Sequence, residues 1–261
     1  MSRVFFWSTT VFALLFLAVP LLLVLPLAFN DGGFLTYPME GFSLRWFSEV
    51  LAGGQWPAYF ANSLRVALGA MVVGLLIGGL AAVGVMLTGR AMQVLLSALF
   101  VSPLVVPSIV LGVSFAYSYG RLGLTGSYLG LVLAHAILGA PLVFLSVMTS
   151  LRGLDADLDL AAASLGASRW HRFRHVTLPL AIPGFLAGAL FAFTTSFDEV
   201  VVALFLASPE STTLPVALFA GLRDRLQPTI VVVALLLSLL SLALLGLLSR
   251  LQNLGRQGKS R

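Results

Sequence analysis

Six long apolar runs set the limits on this chain. They cover Trp7–Phe29, Phe60–Leu87, Val94–Tyr117, Tyr128–Ser150, Leu180–Ala207 and Thr229–Leu248. About 20 apolar residues in a helix cross the hydrocarbon core of a bilayer, and every run is that long. Within lipid, backbone N–H and C=O groups find partners only inside a helix or a closed barrel. Barrel strands are shorter, of alternating character, and these runs are neither. The expectation is an all-α integral membrane fold with six transmembrane helices. Composition agrees: 59% of residues are hydrophobic and 10% charged, too little charge to clothe a soluble surface and too much apolar matter for disorder. Cysteine is absent, which excludes disulfides and thiolate metal sites.

The first run exceeds the 7–15 apolar residues of a signal peptide, and no small-x-small cleavage site follows it, so it reads as a retained helix. The net charge of +5 is nearly all arginine, and in a membrane protein that excess reports orientation. With the N-terminus inside, the inner segments hold Arg3, Arg90, Arg152, Arg169, Arg172, Arg174, Arg250, Arg256, Lys259 and Arg261, and the outer loops hold Arg45, Arg121, Arg223 and Arg225. Both termini are therefore expected in the cytoplasm. The outer loops of note are Asn30–Tyr59 and Ser208–Pro228, and the main inner loop is Leu151–Pro179. No linker splits the chain, so one transmembrane domain is expected over 1–261: a first helix and outer loop over 1–59, a core over 60–250 and a cytoplasmic tail over 251–261. Small residues four apart (Gly74 with Gly78, Gly126 with Gly130, Gly184 with Gly188) allow close helix packing. Pro103 and Pro107 remove helix hydrogen bonds and predict a kink in the third run.

The inner loop carries the most information. Asp155, Asp157 and Asp159 precede Ala161–Ser164, and acids before an alanine run suit a helix N-terminus. Gly166 is placed to end that helix, as glycine does after a C-cap. Ser168 can cap a second short helix, Arg169–Val176, and Pro179 is expected to stop it and begin the fifth span. Such a pair of short helices makes a rigid knob able to pass a partner's motion into the spans, or a loop helix resting on lipid headgroups.

The loop resembles the signature loop of ATP-binding-cassette (ABC) importer permeases: Glu-Ala-Ala, three residues, Gly, nine residues, Ile-x-Leu-Pro. Ala161, Ala162 and Gly166 match, as do Leu178 and Pro179, and Val176 replaces the Ile conservatively. Leu160 occupies the Glu position, which removes that side chain's polar contact and leaves the acid to Asp159 beside it. The segment from Asn62-Ser63-Leu64 to Leu248 is similar to the type I ABC importer (MetI-like) transmembrane domain. Pro103–Gly112, Ser196–Leu206, and Leu214-Pro215 through Pro228-Thr229 resemble the polyamine branch, in which two different permease subunits pair. The resemblance implies a second permease subunit, two cytoplasmic ATPase subunits that bind ATP and Mg and dock on the loop through Ala161, Ala162, Gly166, Val176, Leu178 and Pro179, and a periplasmic binding protein. It implies a place in the bacterial inner membrane. Nucleic acid is not an expected partner.

The chain has no phosphate-binding loop of its own. Gly258-Lys259-Ser260 has the right tripeptide, but Asn253 stands where the first glycine is required and no strand precedes it. The chain is thus expected to be a transport subunit without catalytic residues, metal or cofactor. A gradient-driven carrier is the competing reading, with pseudo-symmetric halves as its mark, and none are visible here.

Asp198 and Glu199 lie inside the fifth run, where a carboxylate costs about 2.5–3.5 kcal/mol on insertion scales. Thr194 and Thr195, four residues before each acid, extend the polar face. The patch suits a cationic solute such as putrescine or spermidine, either by contact or by lining the path. The alternative is structural pairing with Arg65 or a backbone group. Tyr117 and Tyr119 fit an interfacial aromatic belt or a cation–π contact with an amine. His135 in the fourth run is a hydrogen-bonded structural residue or a proton relay.

Overall fold

A computed structural model describes residues 3–224 and 226–240. Every regular element among them is helical, apart from one antiparallel bridge between Asn30 and Phe42. Among the described residues four helical stretches are long and apolar enough to span a membrane: Phe5–Phe29, Trp56–Met86, Tyr128–Arg152 and Arg169–Phe197. The sixth run enters the described residues only as the helix Pro228–Leu240. Its remainder, the tail, and the arginines at 225, 250, 256 and 261 lie outside them.

The third run departs from a simple span. It forms α4 (Arg90–Val101), a 3-10 turn Ser102–Val105 and α5 (Ser108–Leu122), bent by 93°. Two prolines within five residues account for a bend this sharp. Pro103 opens the tight turn, and Pro107 drives Val106 into an extended conformation (φ −77°, ψ 128°) because its ring excludes the helical region for the residue before it.

The chain divides into two compact units. One comprises Met1–Pro57 and Leu218–Arg261. It contains α1 (Arg3–Val24), which continues as a 3-10 turn Leu25–Phe29, and α2 (Arg45–Ser48). Buried Asn30 organises the loop between them. Its amide donates to Phe34 O (3.1 Å), its Oδ1 accepts from Glu40 N–H (3.0 Å), and its backbone oxygen accepts from the Trp46 indole (2.8 Å).

The other unit is Ala58–Ala217. It holds most of α3 (Trp56–Met86), then α4, α5, α6 (Tyr128–Arg152), α7 (Ala156–Ser164), α8 (Arg169–Arg172), α9 (Leu178–Phe197), α10 (Val201–Leu206) and the start of α11 (Leu214–Asp224). At its centre α6 runs about 37 Å, 25 residues at 1.5 Å each. Ser127 caps it by accepting the Gly130 N–H at 3.0 Å. Returning α9 lies so close that a Cβ at Gly188 would stand 2.9 Å from the Val143 Cα, and one at Gly184 2.9 Å from the Ser146 carbonyl oxygen. Gly78 of α3 meets the Ala140 carbonyl on another face of α6. The third glycine pair does no such packing: Gly126 sits in the loop before α6 with φ +80°. One core cluster, with Val143, Phe144, Val147 and Ala181, lies towards the α7 end. A second, with Val66, Leu131, Val202 and Leu206, fills the other.

Candidate functional site

Beyond α6 the chain builds the knob of α7 and α8. Asp155 caps α7, its side chain accepting the Asp157 N–H at 3.0 Å. The helix ends in a Schellman turn: Ala167 N–H reaches Ala162 O (3.1 Å), Gly166 N–H reaches Ala163 O (2.9 Å), and Gly166 holds φ +81°. No other residue type takes that backbone without strain. Ser168 then caps α8 by accepting the His171 N–H at 3.3 Å. Arg172 clamps the two helices together with an ion pair to Asp159 of 2.9 Å. The knob's own polar tie thus comes from Asp159, while its neighbour Leu160 faces out. Ala161 is exposed and Ala162 half-buried. Leu160 (61% exposed), Leu165 (89%) and Trp170 (67%) form an apolar ridge on the knob.

Pro179 does not stop the helix. A π-helical turn over Phe173–Thr177 joins α8 to α9 without a break, and Arg169–Phe197 is one helical stretch. Proline lacks an N–H and its ring crowds the carbonyl a turn earlier; the wider π turn relieves that crowding. Val176 and Leu178 are half-buried along this junction and Pro179 is exposed.

The fifth run also departs from one continuous helix. Helix α9 ends at Phe197, Asp198 is its C-cap, and α10 starts only at Val201. Asp198 is exposed and stays one turn from Thr194, its N–H bonding Thr194 O at 3.0 Å. Thr194 turns its hydroxyl back onto Leu190 O (3.0 Å). Beyond the break, half-buried Glu199 accepts the Val202 N–H at 2.8 Å and so caps α10. Thr195 is half-buried and separated from Glu199 by the break. Neither acid pairs with Arg65, whose guanidinium instead donates to Asn62 Oδ1 at 3.3 Å. The ion pairs among the described residues are Arg45–Asp31 and Arg172–Asp159. Tyr117 is exposed, and the cation over its ring is the chain's own Arg121, 4.5 Å from the centroid.

The sequence pattern of the family described as binding-protein-dependent transport system inner membrane component matches residues 74–254, well over half of the chain. This chain belongs to that family. It is a permease subunit of an ABC importer, and a transport protein rather than an enzyme. The permease is 36% identical over 207 residues to a Salmonella typhimurium protein named as a 2-aminoethylphosphonate transport system permease, covering 77% of this chain and 78% of the relative. It is 31% identical over 229 residues to the putrescine transport system permease protein PotI of Escherichia coli, covering 85% and 81%. The spermidine/putrescine permease PotC of the same organism is 28% identical over 231 residues, covering 88% and 86%. The fold is shared with a bacterial ABC transporter involved in the import of the acidic polysaccharide alginate, at TM-score 0.67 and 17% identity over 96% of this chain and 98% of that one.

Two polar constructions in the permease escape a reading of local sequence. At the end of the second unit away from the knob, Asn62 donates to the carbonyls of Glu210 (2.9 Å) and Thr212 (3.0 Å), and Tyr128 donates to Asn62 Oδ1 at 2.7 Å. Ser63 accepts the Leu214 N–H at 2.8 Å. These bonds staple the loop 207–213 to the starts of α3 and α6. The exposed Glu210 carboxyl is held below the usual carboxylate range by its own backbone N–H and by Ser208. In the interior, fully buried His135 places Nδ1 2.9 Å from the Ser196 hydroxyl, joining α6 to α9 two residues before Asp198. The one advance signal was a polar residue at the edge or centre of an apolar run, without its partner, about 60 to 150 positions away.

Proposed function

We propose that the permease lines the path of a small cationic solute, a polyamine such as putrescine or spermidine. The observation that carries this reading is the break in the fifth run, which leaves the Asp198 carboxylate exposed without a protein cation among the described residues. An unpaired carboxylate within a membrane helix favours a cationic partner. Two relatives are named for polyamine transport. A third is named for 2-aminoethylphosphonate, which supports a second reading, an aminoalkylphosphonate. All these solutes carry a primary ammonium group, the chemistry Asp198 would meet. Thr194, Thr195, Glu199 and Tyr117 belong to the same path in this reading.

The energy comes from outside the chain. Two ATPase subunits that bind ATP and Mg dock on the knob, with Leu160, Leu165 and Trp170 entering their surface and Gly166 fixing the angle. A second, homologous permease subunit completes the path and a periplasmic binding protein delivers the solute. The arginine balance supports a knob and both termini in the cytoplasm. ATP binding moves the knob, and the spans exchange between inward- and outward-open states.

The test is co-purification of the chain with its operon partners, reconstitution, and uptake of labelled putrescine, spermidine and 2-aminoethylphosphonate with the cognate binding protein. Amine-stimulated ATP hydrolysis and polyamine uptake are expected. Uptake of the phosphonate alone would establish the second reading. A chain that purifies without an ATPase would sink the docking arrangement.

A further inference from the structure

The base of the knob holds a cleft of about 610 Å³, within the range of ligand cavities. Its floor is apolar, built from Val83, Met86 and Leu87 at the end of α3 and Leu180 at the start of α9. Arg169 and Arg172, three residues apart on α8, line it as well. The Arg172 Nη1 is committed to Asp159, but its Nε–H is buried with no acceptor among the described residues. A buried donor without a partner costs about 1–3 kcal/mol, so a native occupant that accepts from it is favoured. Arg169 forms no ion pair among the described residues. Two carboxylates also border the cleft, and both are engaged: Asp155 caps α7 and Asp159 holds Arg172. The open hydrogen-bonding capacity is therefore donor-only, in the forked geometry that fits phosphate oxygens. The cleft opens where α3 and α6 end, which is the headgroup depth of a spanning protein.

We propose that this cleft binds the phosphodiester of an anionic membrane phospholipid, with Arg169 and Arg172 on the phosphate and an acyl chain against Val83, Met86, Leu87 and Leu180. A soluble phosphate would satisfy the arginines but leave the apolar floor wet. The bound lipid fills the space between the knob and the spans and so braces one against the other. The assignment is independent of the transported solute. It leaves the exposed ridge of Leu160, Leu165 and Trp170 free, since none of these lines the cleft.

The experiment uses the assembled importer in phosphatidylglycerol vesicles containing a phosphatidylglycerol with a photoreactive diazirine on one acyl chain, followed by peptide mapping. Label is expected on the segments 83–87 and 176–180. In the double variant Arg169→Gln, Arg172→Lys it falls about tenfold there, the loss of a charge-assisted pair of bonds, while label on exposed Phe12 and Phe16 stays constant. Arg169→Gln alone keeps the Arg172–Asp159 bond and guards against a folding defect; label must still fall severalfold. Equal labelling of variant and parent overturns the proposal. So does loss of label on adding excess inorganic phosphate, which assigns the arginines to a soluble anion.

Discussion

Helices α6 and α1 are both long and apolar enough to cross a bilayer, yet they sit at opposite extremes of burial. Of the most apolar 18 residues, 67% are buried in the α6 span and 12% in the α1 span. Hydrophobicity does not separate them, because lipid tails are as apolar as leucine and give no push towards the interior. Size does. Helix α6 offers Gly139, Ala134, Ala136 and Ala140 to its neighbours, all buried, and α9 answers with Gly184, Gly188 and Ala192. Helix α1 offers Phe5, Phe6, Trp7, Phe12 and Phe16, all more than half exposed. Backbones that approach within a Cβ radius gain dispersion contacts along their length; a helix studded with aromatic rings is held off.

The comparison breaks most visibly at the α6–α9 crossing. Gly184→Leu would force a side chain against Ser146 and Ser150 and should cost about 3 kcal/mol, seen as a lower melting temperature of the detergent-solubilised complex. Phe12→Leu on α1 should change the same melting by under about 0.5 kcal/mol; equal effects at the two sites would mean that size is not what distinguishes the helices. Next comes Gly166→Val, which places a β-branched residue at φ +81° and costs about 1–2 kcal/mol. Its expected signature is ATP hydrolysis that persists while solute uptake is lost, and normal uptake would show that the turn is dispensable. Glu199→Gln exchanges a charged acceptor for a neutral one on the Val202 N–H and should cost about 1 kcal/mol, with faster amide exchange in α10. Asp198→Asn, lacking such a bond, should leave melting unchanged and slow cation uptake; unchanged uptake moves the acid out of the path. The smallest effect belongs to Asp159→Asn. Its pair with Arg172 is half in solvent, so a loss below about 1 kcal/mol that shrinks further in high salt is expected.

The spans were legible because their signal is local: length and apolarity suffice to place α1, α3 and α6 to within a few residues. The knob was legible for the same reason, since Asp155, Gly166 and Ser168 act on backbone groups two to five positions away. Three features were not. Pro103 and Pro107 announced a kink but not a 93° bend, because the angle depends on how the turn between them closes. Pro179 looked like a stop, and only the π turn before it explains why the helix continues. The end of α9 at Phe197 could not be read from residues as apolar as Phe197 and Val200; it is held in place by Ser196 on His135 and by Glu199 on Val202. Tertiary partners decide such places, and a chain read one residue after another does not display them.

The uninterrupted helical stretch from Arg169 to Phe197 has a mechanical consequence. Its 29 residues make a strut about 44 Å long, with Trp170 at one end and Asp198 just past the other. The glycine-lined contact with α6 removes the side-chain slack that would let the strut buckle or roll. A compressive load at the knob therefore reaches the acids as displacement of a rod, with the first compliant joint at Asp198–Val200. Stiffness along that line, more than any single contact, sets how little knob travel is needed to move a carboxylate at its far end.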